Sequence, residues 1–300
     1  MPRAAKAWML SSRSARRPGT SGKGCFPASQ QAHYAPGRGL EFSGLHDKEN
    51  MAGDIILETR GLTKEFKGFV AVNGVDLKVK RGTIHALIGP NGAGKTTFFN
   101  LLTKFLPPTA GQILYNGENI TAEKPAQTAR RGIIRSFQIS AVFPHLTVLE
   151  NVRIGLQRSM GNSFHFWKSE RVLSSLDAKA MALLESVDLG SFAKSVTVEL
   201  PYGRKRALEI ATTLAMEPEL MLLDEPTAGM GHEDVDRVKA LIKKVSVGRT
   251  ILMVEHNMSV VSDICDTITV LQRGAVLAEG PYAEVSKDPA VIEAYMGTVH

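Results

Sequence analysis

The 300-residue chain has two cysteines, Cys25 and Cys265, and two tryptophans. Two cysteines build no disulfide framework, so a reducing compartment suits the chain better than a secreted scaffold does. No run of 18 or more apolar residues occurs, so nothing reads as a membrane-crossing helix. No apolar core follows the early basic residues, which argues against a secretory signal. Acid is missing too, but only locally: residues 1–40 contain none. Residues 1–50 hold eight Lys/Arg against three Asp/Glu, while residues 51–300 hold 28 against 27. The net charge of +6 therefore belongs mostly to the leading segment. The body is nearly neutral and offers no electrostatic case for binding nucleic acid.

The first 50 residues are rich in Ser, Gly, Pro and Arg. They are expected to form a disordered extension. An organellar transit peptide shares this bias. An unused upstream start, with Met51 as initiator, is a third reading, since Met51 stands just ahead of the first patterned segment.

The body reads as α/β. IILETRGLTKEF and VDLKVKRG alternate like paired strands. TIHALIG (83–89), MLLD (221–224) and TILMVEH (250–256) are short apolar runs that suit a buried parallel sheet. HEDVDRVKALIKKVS opens with acids and puts Val235, Val238, Leu241, Ile242 and Val245 on one helical face. ITVLQRGAVLAEG (268–280) predicts a hairpin. Residues 141–215 are expected to be a mostly helical insertion.

Residues 89–96, GPNGAGKT, fit G-x-x-x-x-G-K-[ST] between a strand and a helix. A chance match in a chain this long is on the order of one in a hundred. Glycines let backbone N–H groups curl around phosphate oxygens without a Cβ clash. Lys95 should reach the β- and γ-phosphates and Thr96 should ligate Mg²⁺, with the helix dipole assisting. Such a loop needs an acid on a neighbouring strand. LMLLDEP (220–226) supplies Asp224 at a strand end to hold Mg²⁺ through its water shell, and Glu225 next to it to activate a water. His256 ends the following apolar strand, on the edge where strand C-termini share a ligand. Gln138, in RSFQ, is uninformative by itself.

LPYGRKRALEIA (200–211) raises a different question. Arg204, Lys205 and Arg206 gather at a helix N-terminus, where positive charge opposes the macrodipole. A solvated basic face is one explanation. An anion arriving at that point is another.

Phe66, GPNGAGKTT, Gln138, LPYGR, LMLLDEP, AGMG and His256 occur in an order that resembles the ATP-binding cassette ATPases. The resemblance covers about residues 54–300. It implies a P-loop NTPase (RecA-like) core with an antiparallel β subdomain and an inserted α-helical signature subdomain. It implies that Gly89, Pro90, Asn91, Gly92, Ala93, Gly94, Lys95, Thr96 and Thr97 bind ATP, with Phe66 stacking on the base and Phe69 as the competing aromatic. Gln138 would join Thr96 and Asp224 at the metal and, with Lys95, Glu225 and His256, serve catalysis. Pro201, Tyr202 and Gly203 would close over the nucleotide of a second cassette. Pro201 and Tyr202 depart from the serine and glycine usual in the family, and Gly231 stands where an aspartate is usual. The Tyr202 hydroxyl is expected to replace the lost serine donor, and the three cations to serve the incoming phosphate at least in part.

LPYG, LEIA and DEPTAGM, with VLAEGPYAEVSKDPAVIEAYMG at the end, are similar to the ATPase subunits of branched-chain amino acid importers. That resemblance implies two membrane permeases, a second and different cassette, an indirectly served solute-binding protein, and a peripheral location on the cytoplasmic face of the plasma membrane. Amide and urea importers share much of the pattern. A soluble, non-transport cassette ATPase, a regulatory cassette without turnover and an exporter are the rival readings.

Overall fold

The computed structural model describes residues 54–136, 142–159 and 176–296. The leading 50 residues and Gln138 lie outside that set, as does part of the region read as a helical insertion.

The two alternating segments form β1 (Ile55–Phe66) and β2 (Phe69–Lys80), paired antiparallel. With β4 (Ala110–Tyr115) and β5 (Glu118–Asn119) they make a four-stranded sheet in the order β2-β1-β4-β5. The second sheet holds the apolar runs: β3 (Ile84–Ile88), β6 (Ile133–Ser136), β7 (Leu220–Asp224), β8 (Thr250–Val254), and the hairpin β9 (Thr267–Gln272) and β10 (Ala275–Gly280). Its order is β10-β9-β3-β8-β7-β6, parallel throughout except for β10.

β3, β7 and β8 are buried at every position because both faces of the sheet are covered. Leu220 and Leu222 of β7 and Leu252 and Val254 of β8 join one core. Helix α1 (Lys95–Leu102) enters that core with Phe98, Phe99, Leu101 and Leu102, packed between the two sheets. Met221, Leu223, Ile251 and Met253 point the other way into a second core. There they meet α3 (Val148–Ser159), α4 (Asp177–Ser186), α5 (Tyr202–Leu214), α6 (His232–Val245) and α7 (Met258–Ile264). The short α2 (Pro125–Arg130) precedes β6, and α8 (Tyr282–Val285) and α9 (Pro289–Met296) close the chain. The apolar face expected for α6 is the one observed, since Val235, Val238, Leu241, Ile242 and Val245 are all buried.

The strand carrying Asp224 is not a direct neighbour of the strand that leads into GPNGAGKT. β8 lies between β3 and β7. The expectation of adjacency is corrected, and the intervening strand is the one that ends near His256.

Candidate active site

β3, β6, β7 and β8 run parallel, so their carboxyl ends open on one edge, where an α/β sheet offers its ligand crevice. The loop after β3 turns sharply. Gly89, Gly92 and Gly94 have φ of +149°, +80° and +98°, conformations that side chains disfavour. At Gly89 space is the stricter limit, because a Cβ would run into the carbonyl of Leu271. Gly94 caps α1, Pro90 and Asn91 form the outer turn, and Ala93 is buried beneath it. The α1 N-terminus is left facing the loop, with Thr96 exposed and Thr97 half-buried.

Lys95 is folded back on the loop. Its Nζ donates to the carbonyls of Gly89 at 2.7 Å and Pro90 at 2.9 Å. Burial lowers its pKa, opposed by the negative charge of Glu225 and Asp224. A cation hydrogen-bonded to neutral carbonyls of a glycine-rich loop at a helix N-terminus is suited to phosphate.

Asp224 ends β7 with its side chain 9% exposed. Arg135 of β6 donates from Nη2 to its Oδ2 at 2.5 Å and from Nη1 to Asn100 Oδ1 at 2.6 Å. Glu225 follows in the left-handed region, φ 46°. Its N–H donates to the Val254 carbonyl at 2.9 Å, which fixes this conformation at a cost of about 1–3 kcal/mol. The turn takes the Glu225 side chain off the sheet edge, where its Oε1 lies 3.0 Å from His256 Nε2. Two residues selected from separate segments are therefore in contact.

Glu255 was not singled out in the sequence, yet it organises this edge. It is 2% exposed. Its Oε1 accepts from the Thr227 N–H at 3.0 Å and the Thr227 hydroxyl at 2.6 Å. Its Oε2 accepts from the N–H groups of His256 at 2.9 Å and Asn257 at 3.2 Å. One buried carboxylate thus ties the loop after β7 to the loop after β8. An acid beside a strand-end histidine was the only available hint.

Each cation of LPYGRKR has a partner inside the chain, but only Arg206 is buried; Arg204 is exposed and Lys205 half-buried. Arg206 is buried, paired with Glu209 at 2.5 Å and donating to the Asp224 carbonyl at 3.0 Å. Arg204 lies 3.8 Å from the Phe192 ring centroid, and Lys205 donates to the Val198 carbonyl at 2.9 Å. Pro201 is the N-cap of α5. The Tyr202 hydroxyl donates to the Ala228 carbonyl at 3.2 Å, so in this structure it is not a free donor. Gly203 faces Asp234, whose exposed carboxylate would have to shift to admit a Cβ there. Gly231 caps α6 without a side-chain acceptor.

Phe66 is 41% exposed and so is not a core residue. Lys64 Nζ lies 5.0 Å from its ring centroid, and Phe69, across the β1–β2 turn, is exposed as well.

The fold and this edge define a P-loop ATPase with an added antiparallel sheet and signature-bearing helices. A family model described as "ABC transporter" matches residues 72–228, and one described as "Branched-chain amino acid ATP-binding cassette transporter" matches residues 275–300. BraF of Pseudomonas aeruginosa, a high-affinity branched-chain amino acid transport ATP-binding protein, is 41% identical over 252 residues, covering 81% of this chain and 98% of its own. LivG of Escherichia coli K12, described in the same words, is 37% identical over 254 residues with the same coverage. A crystal structure of an ATP-binding cassette of an ABC transporter in its ADP conformation superposes with a TM-score of 0.72 at 31% identity, covering 81% of this chain and 99% of that one. The chain belongs to the ABC transporter family, as an ATPase subunit of the branched-chain amino acid (LivG/BraF) type.

Proposed function

We propose that this subunit powers uptake of branched-chain amino acids by binding and hydrolysing ATP at the described sheet edge. The contact between Glu225 and His256, beside the Lys95 cradle, carries the reading. Lys95 leaves the carbonyls of Gly89 and Pro90 and pairs with the β- and γ-phosphates. Residues 89–97 supply N–H groups to the same oxygens, and Phe66 stacks on the base, a contact worth roughly 1–3 kcal/mol. Glu225 accepts a proton from the attacking water, and His256 orients the Glu225 carboxylate.

The chemistry of the donor set also suits Mg²⁺, since Asp224 is a buried carboxylate at the strand end, already balanced by positive charge from Arg135. Asp224, Thr96 and Gln138 would hold the ion together with phosphate oxygens. When bound, Mg²⁺ neutralises charge on the transferred phosphoryl group.

Pro201, Tyr202 and Gly203 face the nucleotide of a second cassette, a different chain of the same family. Two permeases dock on the helices, a solute-binding protein acts through them, and the subunit lies on the cytoplasmic face of the membrane. No helix among the described residues is long and apolar enough to cross one. Purification of the tagged chain from detergent-solubilised membranes, with mass spectrometry, tests the assignment. Two permeases and a second cassette are expected, and recovery with ribosomal or other soluble partners alone would overturn it. Uptake assays with leucine, isoleucine, valine, amides and urea decide the solute.

A further inference from the structure

Asp224 is gripped by two arginines from different elements. Arg206 of α5 holds its main-chain carbonyl, and Arg135 of β6 holds its carboxylate. Arg135 is itself fixed. Its guanidinium donates to Asn100 of α1 and lies 5.8 Å from the Phe99 ring centroid. The side chains of Arg135 and Asp224 are each only 9% exposed. A carboxylate so far removed from water needs a compensating charge, and leaving one of the pair alone is strongly unfavourable. A divalent cation beside Asp224, directly or through its water shell, would also supply positive charge to that carboxylate. Two cations crowding one desolvated carboxylate repel each other, so they compete for it.

We propose that Arg135 is a positioning residue that stands in for the divalent cation at Asp224, holding the carboxylate ready and setting the metal concentration at which it is surrendered. This rests on the reading of Asp224 as the metal-holding carboxylate. Removing the guanidinium therefore has opposite effects on two properties. The metal-free protein becomes less stable, whereas metal affinity rises. An arginine that only braced the fold would lower both or leave the metal untouched.

The test is electron paramagnetic resonance titration of Mn²⁺ into the full chain with saturating ADP. Arg135→Gln is expected to lower the Mn²⁺ half-saturation point roughly tenfold, the ratio that about 1.4 kcal/mol corresponds to. Its melting temperature should fall more without metal and nucleotide than with both. Asn100→Ala, which loosens the guanidinium and leaves Asp224 intact, should lower the half-saturation point about threefold, and it carries the test if Arg135→Gln does not fold. An unchanged or higher half-saturation point in the folded variants overturns the proposal. Asp224→Asn serves as the reference. If Mn²⁺ with ADP binds it as tightly as the parent chain, the metal reading of Asp224 fails, whatever Arg135 does.

Discussion

Truncating Glu255 should damage this protein more than any other single change near the site that leaves the P-loop intact. Four donors converge on its carboxylate, and three of them are main-chain N–H groups, of Thr227, His256 and Asn257. Hydrogen bonds to a charged acceptor contribute about 1.5–3 kcal/mol each, but four on one group are not additive. In Glu255→Ala the three N–H groups lose their acceptor, at about 1–3 kcal/mol each before water refills the space. A net loss of about 3–5 kcal/mol is expected, in line with other broken buried networks. Glu255→Gln should recover part of this, because with its amide oxygen on the N–H groups of His256 and Asn257 its NH₂ can donate to the Thr227 hydroxyl and leaves only the Thr227 N–H without an acceptor. Urea unfolding measures this. The midpoint should fall with an unchanged slope, by roughly 1 M or more for a slope of about 3 kcal/mol/M. Nucleotide binding should survive in the folded fraction, while turnover falls because His256 and Thr227 are no longer tied together. A loss below about 1 kcal/mol would refute the network as a structural tie.

Other outcomes follow from single contacts. Glu225→Gln should keep ATP affinity within a few-fold and lower turnover by at least roughly a hundredfold, as for loss of a positioned base; undiminished phosphate release would remove Glu225 from that role. Gly89→Ala should abolish nucleotide binding and destabilise by about 2–4 kcal/mol, because its Cβ meets the Leu271 carbonyl, whereas Gly92→Ala, with open space but φ of +80°, should cost only about 1 kcal/mol. Tyr202→Phe should change turnover less than twofold, since the hydroxyl is given to Ala228, and a large fall would show that it swings to the phosphate instead.

Acid stability supplies a further check. His85 is buried, and burial depresses its pKa to about 4. Its Nε2 donates to the Thr269 hydroxyl at 2.7 Å, an assignment required because that hydroxyl donates to Glu279 at 2.7 Å. Between pH 6.5 and 4 the unfolded chain takes up a proton there that the native chain does not. Stability from this group is therefore complete above about pH 6.5 and is lost as pH falls, by about 3 kcal/mol at pH 4. His85→Gln should flatten the pH dependence of the urea midpoint across that window, and an unchanged profile would rule the group out.

Much of this was legible in the linear chain because it rests on local rules. The glycine spacing of residues 89–94 dictates a left-handed turn wherever it lies, and strand-end acids announce themselves by interrupting apolar runs. The buried stripe of α6 follows from its 3.6-residue period. Contacts between distant segments left no such trace. The sheet order that slips β8 between β3 and β7 depends on how both faces are covered, a property of the assembled layers. A basic run such as Arg204–Arg206 looks like a surface feature until tertiary packing brings Glu209, Phe192 and the Asp224 carbonyl within reach of its side chains. Glu255 and Arg135 looked like ordinary charges in sequence, and only packing removed their water and made their partners obligatory. The sequence by itself determined where the glycine-rich loop proposed to bind phosphate would form. Which charges hold the Asp224 carboxylate and the loops after β7 and β8 in place was decided by the tertiary structure, because the strength of a charged contact is set by the burial around it.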